Sequence, residues 1–381
     1  MGDVREFVIR VGRGDVAELR GRLAGTRWGS DVPGVGWERG VPVGYLRELV
    51  GYWGGGFDWG AVEGRLNRMP QFRTEIDGQD VHFVHQRSAR DGAVPLLLVH
   101  GWPGSFVEFT EVLPQLADAF HLVVPDVPGV GFSGPLREAG WTTGRIADAF
   151  LTLMGRLGYA EFGVQGGRSG ARIAAEMGRR APDRVIGVHL NGLVTPPTDD
   201  PGALAGLTEI EKERLGRLAE LHTDGFGFAA LQSTRPATLG HALLDSPAGQ
   251  LAWTVEKLRA WSDARSPLPE DAVDRDLLLA DASILWFTRT AASAAALFYE
   301  DAHDPNEVAP RPRGPVPTAV LATGTTDVAV RRFADREHHV TRWTEIERGG
   351  AFLALEQPAA FAEDVRDFFA AVRAAPDRLR G

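Results

Sequence analysis

The sequence predicts an α/β fold with a mostly parallel central sheet, a helical cap inserted late in that sheet, and an N-terminal arm. From residue 93 on, short apolar runs typical of buried strands alternate with glycine-rich turns and helices. Between residues 193 and 316 the strand pattern stops and helical periodicity replaces it. The 381 residues are enough for one large domain plus smaller units. The predicted units are an arm over 1–92, the first part of the core over 93–192, a cap over 193–316, and the last part of the core over 317–381.

Each core strand is predicted from a short, continuous apolar run. Pro95–Val99 leads into His100-Gly-Trp-Pro-Gly-Ser105, and His121–Pro125 leads into Pro128-Gly-Val-Gly131. Runs with so few polar residues suit strands that are covered by helices on both faces. The later elements predicted in the same way are strands over 185–190 and 318–322 and a closing helix over 359–372.

Another core strand ends in a glycine-rich turn. Phe162–Gln165 is followed by Gly166-Gly-Arg-Ser-Gly170 and by a helix over Ala171–Arg180. A strand, a tight glycine-rich turn and a helix form a nucleophile elbow, which presents its apex side chain at the top of the sheet. Residues 162–180 are therefore predicted to form such an elbow.

The cap and the arm are predicted from helical and hairpin patterns. Helical periodicity is clear in Leu215–His222, Gly249–Trp261 and Ser283–Tyr299, and these helices are expected to roof a pocket. The arm should contain an amphipathic helix around Val16–Leu23 and a hairpin across Phe72–His85. We expect the arm to wrap the cap and the core.

Composition narrows the classes of function. The net charge is −10, and no basic stretch with interleaved aromatic residues is present, which argues against a nucleic-acid partner. The absence of cysteine excludes disulfides, thiolate nucleophiles and cysteine metal sites. The N terminus lacks the apolar segment of a signal peptide, and no apolar run approaches membrane-spanning length. We therefore expect a cytoplasmic protein with no metal, cofactor or membrane contact, and we leave a homodimer open.

Ordered motifs along nearly the whole chain resemble those of microsomal-type epoxide hydrolases. The resemblance begins with Trp53, Phe57-Asp-Trp59 and His82-Phe-Val-His85, and it continues through the His100–Ser105 turn. It extends to the C-terminal part in Gln232-Ser-Thr-Arg-Pro236, Asp245-Ser-Pro-Ala-Gly249, Phe298-Tyr-Glu300, Arg348-Gly-Gly350 and Leu355-Glu-Gln-Pro358. The resemblance implies the α/β-hydrolase fold with a small-molecule pocket between core and cap.

The chain departs from this family at both steps of its chemistry. In the family an elbow aspartate attacks the epoxide while cap tyrosines donate to its oxygen, and a histidine with an acid then activates water against the ester. The family's Gly-Gly-Asp-Trp-Gly is here Gly166-Gly-Arg-Ser-Gly170, and its Gly-Gly-His-Phe is Gly349-Gly-Ala-Phe352. A guanidinium has no lone pair free to attack carbon, and an alanine methyl moves no proton. Two independent positions therefore exclude hydrolysis through an aspartyl ester.

The resemblance assigns further roles to four positions. Tyr299 matches one cap tyrosine and is expected to donate to a substrate oxygen, whereas Phe228 stands at the position of the other. The acid position falls on Asp327 or, without a gap, on Thr325. The backbone N–H of Trp102 is expected to stabilise an oxyanion.

Arg168 is interpreted as a group that binds a substrate oxyanion or pairs with a carboxylate such as Asp327. The dipole at a helix N-terminus disfavours a cation by roughly 0.3–1 kcal/mol, so a deliberate role is favoured over drift. Ser169 also resembles the serine of a shifted serine-hydrolase elbow, but Ala351 supplies no histidine to activate it. We interpret Ser169 as a smaller replacement for a tryptophan. The expected substrate-binding residues are Phe228, Ser169, Ala351 and Phe352.

The favoured function is a non-hydrolytic tailoring enzyme of natural-product biosynthesis, of the polyketide or enediyne type and thus of antibiotic-like products. It would promote epoxide opening with ring or C–C bond formation in a large polycyclic substrate. Positioning alone can supply roughly 7–11 kcal/mol of the barrier. The alternatives are an inert ligand-binding protein, a cofactor-free oxygenase and a serine hydrolase that uses Ser169.

Overall fold

The central element of the computed structural model, which describes residues 3–195, 201–309 and 311–374, is one nine-stranded sheet. Its strands, β1 to β9 in chain order, are Arg5–Phe7, Gln71–Ile76, Gln79–Gln86, Val94–Val99, Phe120–Pro125, Phe162–Gly167, Val185–Asn191, Pro317–Thr323 and His339–Ile346. They lie in the order β1-β2-β3-β5-β4-β6-β7-β8-β9. Strands β4 to β9 pair in parallel, and β1 to β3 join them antiparallel through β5. The prediction of a mostly parallel sheet is confirmed.

Helices cover both faces of this sheet. The helices, α1 to α17 in chain order, are Arg13–Ala24, Val43–Gly55, Trp59–Leu66, Leu113–Leu116, Thr143–Arg156, Ser169–Arg180, Pro201–Leu204, Glu209–Glu220, Gly227–Thr234, Pro236–Asp245, Pro247–Trp261, Arg275–Thr288, Ala291–His303, Pro305–Val308, Arg331–Glu337, Leu353–Glu356 and Pro358–Ala374. Along β4, Leu96 and Leu98 belong to one apolar cluster, and Leu97 and Val99 belong to the other. Burial on both faces explains why this strand is a continuous apolar run.

The strand β9, His339–Ile346, was not predicted from the sequence. It pairs with β8 alone and forms one edge of the sheet. Most of its residues are only half-buried, and Thr341, Arg342 and Glu345 interrupt any apolar run. An edge strand of this kind lacks the pattern by which the inner strands were recognised.

Helices α7 to α14 all lie between β7 and β8 in the chain and form the cap. The helical stretch predicted over Ser283–Tyr299 is in fact two helices. Arg289 adopts left-handed backbone angles, with φ 57°, and ends α12, and α13 begins at Ala291. Thr290 between them accepts a hydrogen bond from the Gly131 N–H at 3.1 Å. The break therefore ties the cap to a core turn.

The arm contacts both of the other units. Its predicted hairpin is confirmed as β2 and β3, joined by Asp77 and Gly78, which both have positive φ as a tight hairpin turn requires. This hairpin extends the central sheet through β5. On the other side, Trp53 of α2 donates to Ser283 of α12 at 2.9 Å. The unit boundaries at 92, 192 and 316 remain predictions. No described helix is long and apolar enough to cross a membrane.

Candidate active site

A cavity of about 350 Å³ lies at the carboxyl ends of the core strands, beneath the cap. Ligands of open α/β sheets bind in this position, outside the carboxyl ends of the strands. Five aromatic side chains dominate its wall, namely Trp102, Phe226, Phe228, Trp261 and Phe298. A second chamber of about 220 Å³ adjoins it, and Trp102, Ser169, Arg172 and Phe298 line both.

The elbow at the floor of this cavity has the geometry that its sequence predicts. Arg168 joins β6 to α6 with φ 54° and ψ −121°, a conformation that is uncommon for any residue except glycine. A Cβ atom on Gly166 would lie 2.2 Å from the Gly170 carbonyl oxygen, and one on Gly170 would lie 2.4 Å from that of Val99. These glycines therefore allow the close approach that holds Arg168 at the apex.

The Arg168 side chain folds back onto the protein. Its terminal nitrogens donate to the two carboxylate oxygens of Glu108 at 3.0 and 2.6 Å, and one of them also donates to the Ala351 carbonyl at 2.9 Å. The guanidinium lies 4.1 Å from the ring centre of Phe352, and only 6% of the side chain is exposed. The prediction that Arg168 pairs with Asp327 was therefore wrong, because the carboxylate that neutralises Arg168 is Glu108. Glu108 lies in the short 3-10 helix Phe106–Phe109 that follows Ser105, where the sequence gives no sign of this pairing.

Asp327 lies in the wall of the cavity, and Thr325 points elsewhere. The Asp327 carboxyl accepts hydrogen bonds from the N–H groups of Thr323 at 3.2 Å and Ala329 at 3.0 Å. Burial raises the pKa of Asp327 above its ordinary value. The Thr325 hydroxyl donates instead to Asp263 and to the Gly349 carbonyl. Of the two candidates for the acid position, Asp327 is the one that faces the cavity.

Ser169 and Trp102, which were predicted to have separate roles, interact directly. The Trp102 N–H donates to the Ser169 hydroxyl oxygen at 2.8 Å, so this candidate oxyanion donor is occupied. The Trp102 ring stacks on Phe228, with centres 4.9 Å apart. No histidine hydrogen-bonds to Ser169 within the described ranges of the chain. The geometry therefore gives no support to a serine hydrolase.

The expectation that Tyr299 points into the pocket is wrong. Tyr299 is 37% exposed, stacks on His303 with ring centres 3.8 Å apart, and does not line the cavity. Its neighbour Phe298 lines both chambers. Successive residues of a helix point about 100° apart, so the orientation of α13 decides which of the two faces the ligand.

The segment that replaces the family's histidine contributes one cavity residue. Ala351 lines the cavity, and its N–H donates to the Trp261 carbonyl at 2.7 Å. Phe352 is 1% exposed beneath Arg168, so its assignment as a substrate-binding residue was wrong and its role is to support Arg168. Phe228 and Ser169 line the cavity as predicted.

Two further half-buried carboxyls near the elbow, Asp281 and Glu356, were not singled out from the sequence. Burial, followed by the charge of Glu108, raises the pKa of Asp281 to about 7, and the Ser105 hydroxyl donates to it. Burial also raises the pKa of Glu356 to about 7, and this side chain accepts from the N–H groups of Asp263 and Phe352. Neither residue lines the large cavity.

Comparisons with known proteins place this site in a family. The family model described as "Epoxide hydrolase N terminus" matches residues 4–109, and that described as "alpha/beta hydrolase fold" matches residues 94–209. The chain is 30% identical over 404 residues to epoxide hydrolase 1 of Sus scrofa, covering 96% of this chain and 88% of that protein. It is 39% identical over 386 residues, or 97% of this chain and 86% of the relative, to a Stigmatella aurantiaca protein provisionally named an epoxide hydrolase.

Solved structures agree with the sequence relatives. The juvenile hormone epoxide hydrolase of the silkworm Bombyx mori matches with a TM-score of 0.90 and 28% identity, over 99% of this chain and 96% of that one. The epoxide hydrolase of Aspergillus niger matches with a TM-score of 0.86 and 30% identity, over 97% of both chains. Because sequence and fold agree over nearly the whole length, this chain belongs to the epoxide hydrolase family of the α/β-hydrolase fold.

Proposed function

We propose that this member of the epoxide hydrolase family does not hydrolyse epoxides. It binds a large, mainly apolar polycyclic molecule and opens an epoxide on it with a nucleophile of the same molecule, which closes a ring or forms a C–C bond. Such a reaction suits a tailoring step in the biosynthesis of a polyketide or enediyne natural product. The observation that supports this proposal best is the elbow, whose apex is Arg168 in an ion pair with Glu108.

Neither step of the hydrolytic reaction has its reacting group. Arg168 has no lone pair for attack on an epoxide carbon, so no ester forms at the apex. Ala351 has no basic atom, so no group at that position activates water. The proposed reaction avoids both steps because the nucleophile belongs to the substrate.

The aromatic lining of the cavity favours a flat aromatic substrate. Its volume of about 350 Å³ lies within the roughly 300–1,000 Å³ typical of ligand sites. Trp102 and Phe228 stack almost parallel, and Trp261 and Phe298 meet Trp102 edge-on. Such walls hold aromatic rings in defined orientations, and orientation supplies much of the rate of an intramolecular reaction.

Asp327 is the proposed proton donor. Burial raises its pKa, so a larger fraction of the carboxyl holds a proton near neutral pH than in water. As the epoxide C–O bond breaks, the oxygen takes this proton, and the carboxylate then accepts the proton lost by the attacking group. The net reaction is an isomerisation, which consumes no water and no cofactor. The backbone N–H groups of Thr323 and Ala329 hold the carboxyl in place.

One observation favours a ligand-binding protein without catalysis. The N–H of Trp102 is occupied by Ser169, and the terminal nitrogens of Arg168 are occupied by Glu108 and the Ala351 carbonyl. Groups that could stabilise a developing negative charge are thus already paired. If Asp327 does not transfer a proton, the same cavity serves only to bind the polycyclic molecule.

A naphthyl-substituted epoxy alcohol, whose own hydroxyl can close a five-membered cyclic ether, distinguishes these functions. We expect the wild type to form the cyclic ether above background and to form no diol from this compound or from styrene oxide. Asp327→Asn should lower the rate on the order of 10²-fold or more, the contribution of a general acid. Tyr299→Phe is the matched control and should retain full activity, because this side chain lies outside the cavity.

The products decide between the alternatives. If calorimetry shows that the wild type binds the epoxy alcohol and no product forms, the ligand-binding function is favoured. Diol formation by the wild type above background would contradict the non-hydrolytic proposal.

A further inference from the structure

We infer that the space left by the family's histidine is a binding site for one oxygen substituent of the polycyclic ligand, an aryl hydroxyl or a quinone carbonyl. This site, here called the polar recess, is formed by Thr323, Thr326, Asp327 and Ala351. The inference rests on the proposed function, because it names the part of that substrate which the recess recognises.

The recess lies where two neighbouring parallel strands end. Thr323 is the last residue of β8, Thr326 and Asp327 follow it, and Ala351 lies in the turn after β9. All four line the 350 Å³ cavity. The methyl group of Ala351 is the whole of its side chain, so the volume that an imidazole would occupy is left to a ligand.

Two hydroxyl groups of the recess lack a partner. The Thr323 and Thr326 oxygens are buried and make no hydrogen bond to any described residue. Thr325, which lies between them, is fully paired through Asp263 and the Gly349 carbonyl. A buried hydroxyl without a partner costs free energy, which a ligand oxygen recovers when it pairs with that hydroxyl.

The rest of the cavity wall offers little competition for a polar group. Most other lining residues are apolar, including Leu193, Val194, Leu221 and Val328. Arg168 also lines the cavity, and its Nε is buried without a hydrogen-bond partner among the described residues. The polar recess therefore offers donors without partners beside a mainly apolar wall, and an arrangement of this kind fixes the orientation of a bound molecule.

The donors and acceptors of the recess fit a neutral oxygen substituent. Arg168 lines the same cavity, and the buried Arg214 donates to the Thr323 carbonyl at 3.4 Å. Both guanidinium groups are paired with carboxylates, Arg168 with Glu108 and Arg214 with Glu345, so neither adds an uncompensated charge to the recess. A carbonyl accepts from both threonines, and an aryl hydroxyl can also donate to Asp327, so both fit the donors and acceptors present.

Calorimetric titration of the whole protein with 1-naphthol and with naphthalene tests the inference. We expect the wild type to bind 1-naphthol about tenfold more tightly than naphthalene. Thr326→Val removes a hydroxyl and keeps the shape of the side chain. The affinity for 1-naphthol should therefore fall close to that for naphthalene, and the affinity for naphthalene should stay within about twofold of its wild-type value. Thr323→Val should act in the same direction. The control Thr234→Val makes the same change at an exposed cap position and should keep the tenfold preference.

The outcomes separate this inference from the proposed function. Equal binding of both compounds by the wild type overturns the polar recess and leaves the apolar cavity intact. Loss of affinity for both compounds in Thr326→Val and in Thr323→Val also overturns it, since shape rather than hydrogen bonding would then explain the effect. Failure of the wild type to bind either compound overturns the proposed function itself.

Discussion

An arginine in the floor of a buried pocket is stable only with a counter-charge, because removing a guanidinium from water costs several kcal/mol. Glu108 supplies this charge to Arg168 through two hydrogen bonds, and the helix N-terminus behind Arg168 gives no help to a cation. Glu108 in turn lies near Asp281, whose raised pKa reflects burial and the Glu108 charge. The elbow is therefore built around a positive apex. Replacing Arg168 by an acid would remove its ion pair with Glu108 and, through Glu108, would change the surroundings of Asp281.

We expect Arg168→Asp to destabilise the protein and to restore no hydrolysis. The change leaves Glu108 unpaired beside a new carboxylate, and breaking a buried pair costs roughly 3–5 kcal/mol. Urea unfolding measures this loss, and styrene oxide turnover measures activity. The double variant Arg168→Met with Glu108→Gln should lose less stability, because no charge remains uncompensated. Wild-type stability of Arg168→Asp, or diol formation by it, would show that the ion pair does not shape the elbow.

At the scale of elements, apolar runs predicted the inner strands, since strands buried on both faces need apolar residues throughout. The edge strand β9 has no such pattern, because it is partly exposed to solvent. The break between α12 and α13 has none either, because it depends on a single residue in the left-handed conformation, Arg289. In the site, Arg168 and Ala351 were identified from motif positions. The partner Glu108 and the outward direction of Tyr299 depend on a rotamer and on the rotation of α13, which motif positions do not specify.

The orientation of α13 predicts opposite effects for two adjacent residues. Phe298 meets the rings of Trp102 and Phe228 at 5.5 and 5.7 Å, whereas Tyr299 contacts His303 at the surface. Phe298→Ala should lower the affinity for naphthalene roughly tenfold, because each aromatic pair contributes about 0.5–1.5 kcal/mol beyond its buried area. Tyr299→Ala should leave that affinity unchanged. Calorimetry on both variants checks this, and the reverse order of effects would mean that α13 is rotated.

At the scale of the whole molecule, arm, core and cap meet around the elbow. The arm contributes strands to the sheet and a tryptophan hydrogen bond to α12, and α12 carries Asp281 against the core turn that contains Ser105. Helix α12 of the cap is thus hydrogen-bonded to the arm through Ser283 and to the core through Asp281. Because Asp281 faces Glu108 across this junction, its protonation links the packing of cap and core to pH.

Asp281→Asn should gain stability relative to the wild type as the pH rises from about 4 to about 7. Burial raises the pKa of Asp281 to about 7, whereas an aspartate in the unfolded chain titrates near 3.9. Between these values the folded state binds more protons than the unfolded state, so raising the pH lowers the free energy of unfolding of the wild type. The asparagine has no proton to lose, so the difference between variant and wild type should grow over this window and level off above it. Urea unfolding at pH 4.5 and 7.5 measures the difference, with the exposed Asp91→Asn as the matched control. An equal difference at both pH values would mean that Asp281 is ionised in the folded protein throughout the window.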